Sequence, residues 1–123
     1  MKRVLIVDDE VDHRLIIRAI LEHCGYACDE AEDGTIALER LTHAPVDLVL
    51  ADVNMPRTNG LQLVDHMTRQ QILKDIPIIL MSSQIYGELP LSGAKGKALT
   101  ILLKPFNRQK LCAAVSSAIE VHH

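Results

Sequence analysis

Short apolar runs alternate along the chain with longer segments of helical spacing, and the alternation persists to the end. RVLIVD at 3–8 is β-branched and ends in acid, the form of a strand buried on both faces. Val11, Leu15, Ala19 and Leu21 then recur at near-helical spacing up to Cys24, with Gly25 as a stop. YACDEA at 26–31 is a weaker strand candidate, and Asp33 is placed to cap a helix whose apolar face is Ile36, Ala37, Leu38 and Leu41. VDLVLAD at 46–52 again ends in aspartate, followed by the turn-forming MPRTNG at 55–60 and a helix carrying Leu61, Val64 and Met67. IPIILMS at 76–82 and LTILL at 99–103 read as the last two strands. Asn107 is placed to cap a closing helix that turns Leu111, Ala114, Val115, Ala118 and Ile119 inward.

Strands separated by amphipathic segments predict an α/β fold, a doubly wound five-stranded parallel sheet with helices on both faces. Ligands of such sheets sit outside the carboxyl ends of the strands. Those ends carry Asp8 and Asp9, then Asp52, Ser82 and Lys104, while no histidine or cysteine falls there. Like charges ~4 Å apart repel by about 4 kcal/mol at an effective dielectric near 20, so the carboxylates need compensation. A hard divalent cation supplies it, and oxygen ligands with retained waters suit Mg²⁺. Metal, carboxylate, hydroxyl and ammonium together suit phosphoryl transfer onto Asp52, with Ser82 and Lys104 taking up charge on the peripheral oxygens. Taken singly, each residue also has a structural reading: Asp8 or Asp9 as a helix cap, Asp52 as the head of a turn, Ser82 as a cap, Lys104 as a surface charge. Their joint placement carries the functional one.

Composition narrows the setting. With 123 residues, 48% apolar and 24% charged, the chain has the size and makeup of one globular domain, over residues 1–120. Val121, His122 and His123 are set aside as a terminal tail of tag-remnant type. The net charge of -3 and the scattered Lys and Arg leave no footprint for direct nucleic-acid binding. No apolar stretch reaches the ~20 residues of a membrane span, so no membrane insertion and a cytoplasmic location are expected. Cys24, Cys28 and Cys112 read as small core residues, with a zinc site from His23, Cys24 and Cys28 as the weaker alternative.

VLIVDDE at 4–10, DVNMPRTNG at 52–60, Ser82-Ser83 and KPF at 104–106 stand in an order and spacing that resemble a response-regulator receiver domain over residues 2–120. The resemblance implies a flavodoxin-like sheet of order 2-1-3-4-5 and a phosphoacceptor role for Asp52. It also implies Mg²⁺ held by Asp9 directly, by Asp8 largely through water, by Asp52 and by the backbone carbonyl of Asn54. Ser82 and Lys104 would contact the phosphoryl oxygens, and the Lys104-Pro105 peptide would be cis. The implied donor is a histidine kinase or phosphotransfer protein, and the output an unknown domain or protein. On this reading the chain is a phosphorelay acceptor, not an enzyme.

Two departures from the family stand out. IYGELPLSGAKGKA at 85–98 occupies the place of its fourth helix, where one proline and three glycines amount to roughly 6 kcal/mol against a regular helix. The segment from Tyr86 to Lys97 is therefore expected to be shortened, displaced or partly unwound. Three positions before the lysine, where the family usually carries an aromatic switch residue, stands Ile101. These departures motivate a second reading, a receiver-like docking module that acts without phosphorylation. A haloacid-dehalogenase-like phosphatase fits less well, since that family needs a DxD pair after the first strand and here Asp8 and Asp9 are adjacent.

Overall fold

The computed structural model describes residues 1–53, 60–70, 75–83 and 99–121. In chain order these form β1 (Arg3–Val7), α1 (Val11–His23), β2 (Ala27–Ala31), α2 (Gly34–His43), β3 (Leu48–Asp52), α3 (Gly60–Arg69), β4 (Ile78–Ser82), β5 (Leu99–Leu103) and α4 (Arg108–Val121). The strands make one parallel sheet in the order β2-β1-β3-β4-β5. The parallel five-stranded sheet is the one the apolar pattern predicts, and its order is the one the family resemblance implies. The segment from Tyr86 to Lys97, with its expected loss of regular helix, lies outside the described residues.

Alternation along the central strands sends side chains to two cores. Leu5, Val7, Val49, Ala51, Ile78 and Leu80 pack on one face with Ala37 and Leu41 of α2 and Leu63, Val64 and Met67 of α3. Val4, Ile6, Leu48, Leu50, Ile79 and Met81 pack on the other with Ile17 and Leu21 of α1 and Leu111, Val115 and Ile119 of α4. Both expected caps are present: Asp33 Oδ1 accepts from the Ile36 amide at 2.9 Å, and Asn107 Oδ1 from the Lys110 amide at 2.8 Å. Gly25, at φ 97°, takes the left-handed conformation that follows α1. The closing helix reaches Val121, one residue into the stretch read as a tail. Among the described residues no helix is long and apolar enough to cross a membrane.

The structure corrects the inward face of α1. Arg14, Ile17 and Leu21 are buried, whereas Val11 and Leu15 are about half exposed at 54% and 53%, and Ala19 faces solvent. Apolar residues surround this helix, so spacing alone admits two stripes, and the sheet takes the one led by Arg14.

The cysteines are corrected as well. Cys24, just past α1, forms a disulfide with Cys112 of α4 across 88 positions, with Cα atoms 6.7 Å apart. The proposed His23, Cys24, Cys28 zinc set does not form, because the Cys24 sulfur is already bonded. Helices α1 and α4 lie side by side on one sheet face, a proximity that local spacing does not reveal. Only Cys28 behaves as a buried core thiol, and burial, with Glu22 adding to it, pushes its pKa up to about 11. So little thiolate exists at neutral pH that Cys28 should be inert. Alkylation of the oxidised native protein should therefore add nothing, reductant should release Cys24 and Cys112 for labelling, and Cys28 should label only after unfolding. Intact mass counts the adducts, and labelling of native Cys28 would contradict its burial.

Candidate functional site

Strand register assembles the site. Val7 pairs with Ala51, so the residues that follow, Asp8 and Asp52, leave adjacent strands together. Asp52 pairs with Met81 on β4, and Ser82 pairs with Leu103 on β5, which places Ser82 and Lys104 farther along the same edge. The Lys104 amide donates to the Ser82 carbonyl at 2.7 Å, holding the two ends together. Asp8, Asp52 and Ser82 are at most 4% exposed, so each carboxylate needs a partner inside the fold.

Those partners are present. Lys104 Nζ donates to Asp52 Oδ2 at 2.7 Å. Asp8 Oδ1 accepts from the Glu10 amide at 2.9 Å, and Asp8 Oδ2 meets His13 Nδ1. The Asp8 carbonyl accepts from Arg14 Nη1 at 2.6 Å, and Arg14 Nε donates to Glu30 Oε1 of β2 at 2.9 Å. Arg18 holds the other Glu30 oxygen at 2.9 Å and Glu22 at 3.2 Å. The Arg18 hydrogen bond, with help from Arg14 and against partial burial, lowers the Glu30 pKa below its ordinary range. Arg18 is raised in turn by Glu30 and Glu22. This ladder of charges anchors the backbone of Asp8 through α1 to β2.

Gly60, the first residue of α3, closes the site from behind. A Cβ there would lie 2.6 Å from the Asp52 carbonyl oxygen and 3.0 Å from Leu80 Cδ2. Only hydrogen fits between the helix and the end of β3.

Of the residues singled out in the sequence, Asp8, Asp52, Ser82 and Lys104 converge, and Lys104-Pro105 is cis. Asp9 is exposed and stands outside the group of Asp8, His13 and Asp52, whose ligand atoms all lie within 4.8 Å of one another. Asn54 lies outside the described residues. His13 is the residue that sequence reasoning missed, since no histidine was expected at the strand ends. Its signal was position: five residues after Asp8, it sits on the first turn of α1, which turns back over the end of β1. The donor set fits a divalent cation, because buried carboxylates from β1 and β3 face one cleft beside a further ligand atom.

Comparison with known proteins decides the family. The model for the response regulator receiver domain matches residues 4–116. The chain belongs to the response-regulator receiver domain family. The phosphate regulon transcriptional regulatory protein PhoB of Escherichia coli (strain K12) is 30% identical over 118 residues, covering 96% of this chain and 52% of that protein. A two-component response regulator-like protein of rice, PRR73 from Oryza sativa subsp. indica, is 38% identical over 112 residues, covering 89% of this chain and 14% of its own. Among solved structures, chemotaxis protein CheY4 of Vibrio cholerae superposes with a TM-score of 0.88 at 31% identity, covering 96% of this chain and 98% of that one. The chain thus spans about half the length of the PhoB relatives it matches.

In this receiver two substitutions report on the framework of the site. Gly60→Ala gains up to ~1 kcal/mol in helix propensity but meets backbone oxygen, and overpacking of that kind costs ~1–3 kcal/mol. Net destabilisation of about 1 kcal/mol is expected in urea unfolding. Glu30 has a folded pKa below its usual 4.5, so its contribution is present above that pH and lost as pH falls through the lowered value. Below pH 4.5, stability should fall more steeply in the parent than in Glu30→Gln, as followed by denaturant midpoints across the acid range.

Proposed function

We propose that this receiver is the phosphoacceptor of a two-component phosphorelay, taking a phosphoryl group onto Asp52 from a histidine kinase or phosphotransfer protein. The observation that carries this reading is the buried Asp52 carboxylate at the end of β3, held by Lys104 Nζ at 2.7 Å. A carboxylate oxygen of Asp52 attacks the phosphorus of a phosphohistidine. The O–P bond forms as the P–N bond breaks, and the electron pair leaves with the donor imidazole. Lys104 and the Ser82 hydroxyl, on the neighbouring strand ends, take up charge on the peripheral phosphoryl oxygens.

Asp8, Asp9, Asp52 and the backbone carbonyl of Asn54 would hold Mg²⁺, which supplies positive charge to the clustered carboxylates and the phosphoryl oxygens. The product is an aspartyl phosphate, lost slowly by hydrolysis; the protein is its own substrate and turns over no other. Phosphorylation adds about -1.5 to -2 charges beside Lys104 and thereby alters affinity for an output domain or protein. Val11, Leu15 and Ile16, exposed on α1 next to the site, offer apolar surface to the donor protein. This reading places the domain in the cytoplasm.

Intact mass after incubation with acetyl phosphate and Mg²⁺ tests the proposal. A single phosphoryl adduct is expected on the parent and none on Asp52→Asn. An adduct that survives the substitution, or a parent that takes none, overturns it.

A further inference from the structure

The reading above requires oxygen ligands only, yet the cleft also contains a nitrogen. His13 Nδ1 meets Asp8 Oδ2, and one ligand atom each from Asp8, His13 and Asp52 all lie within 4.8 Å of one another. Ligand atoms at bond lengths of ~2.1 Å stand ~3 Å apart when adjacent on an ion and ~4.2 Å apart when opposite, so the three atoms can close on one cation once it replaces the direct contact between His13 and Asp8. The two carboxylates are buried and fixed by their strands, while the His13 side chain is 29% exposed on the first turn of α1 and caps the cleft from the solvent side.

Mg²⁺ takes oxygen ligands in near-ideal octahedral geometry and keeps several waters, so an imidazole nitrogen adds little to its binding. Borderline first-row ions accept imidazole beside carboxylate readily. We propose that His13 Nδ1 is a ligand of the centre formed by Asp8 and Asp52, and that it turns this receiver's metal preference from Mg²⁺ toward a borderline divalent cation such as Co²⁺ or Ni²⁺. The proposal rests on the acceptor-site reading but concerns which cation the site holds. The competing account is structural: His13 pairs with Asp8 only to fasten the start of α1. Asp8 already has two other fastenings, the Glu10 amide to its side chain and the Arg14 guanidinium to its carbonyl.

The test measures Co²⁺ and Mg²⁺ affinity by calorimetry for the parent, His13→Ala and His13→Gln, in metal-free buffer at one pH. If His13 is a ligand, both variants lose at least about tenfold in Co²⁺ affinity while Mg²⁺ affinity stays within about threefold. Asp52→Asn should also weaken the Co²⁺ site, which separates it from binding at the other histidines of the chain. Pulsed electron paramagnetic resonance of the Mn²⁺-loaded parent should show nitrogen coupling that disappears in His13→Ala. An unchanged Co²⁺ to Mg²⁺ ratio in the His13 variants, undiminished Co²⁺ binding in Asp52→Asn, or no nitrogen coupling in the parent overturns the proposal. Phosphoryl labelling of Asp52 with Mg²⁺ is read separately by mass, so a failure of metal preference and a failure of the acceptor reading are distinct results.

Discussion

Two carboxylates, Asp8 and Asp52, are forced together because Val7 and Ala51 are partners in a parallel ladder. Neighbouring strands lie ~4.8 Å apart, and at an effective dielectric near 20 two like charges at that spacing repel by about 3–4 kcal/mol. Burial removes the water that would otherwise screen them. Much of the surrounding structure answers this repulsion: Lys104 on Asp52, the Glu10 amide and His13 on Asp8, and Arg14 on the adjoining carbonyl. A cleft held in this way is a place where a cation or a transferred phosphoryl group changes the balance of forces at once.

The compensation depends on elements far from the strand ends. Arg14 reaches the Asp8 carbonyl while Glu30 holds its guanidinium, and Arg18 grips the same carboxylate from the next turn of α1. Burial of Ile17 and Leu21 on the same helix sets its rotation, and the Cys24–Cys112 bond ties its far end to α4. His13 is thus aimed by a helix fixed along its length. On the opposite face, the missing side chain of Gly60 lets α3 begin against the Asp52 carbonyl.

The strand ends were legible in the sequence because a sheet buried on both faces writes each strand as an apolar run, and the polar residue that breaks the run marks its end. Asp8, Asp52, Ser82 and Lys104 were all found that way. Periodicity was less informative for α1, where Val11, Leu15 and Ile16 compete with Ile17 and Leu21, and only packing against the sheet separates the two stripes. The Cys24–Cys112 pair and His13 were missed for a shared reason: each depends on where a helix lies in three dimensions. The family resemblance supplied the sheet order and the cis Lys104-Pro105 peptide, neither of which follows from the apolar pattern.

The way charge is distributed across the sheet also determines where a change at Asp52 is first felt. Of the described groups that hold the two acids, Lys104 alone stands at the end of β5, directly after Leu103, which is 50% exposed. Strand β5 is an edge strand with only Leu102 buried, whereas every residue of β3 and β4 is buried. The new negative charge that the proposed phosphorylation would bring to Asp52 would therefore act first on the cation that follows the least buried strand of these three. Ile101 on that strand packs against the core shared with α2 and α3, so any movement of β5 would be felt in side-chain packing there.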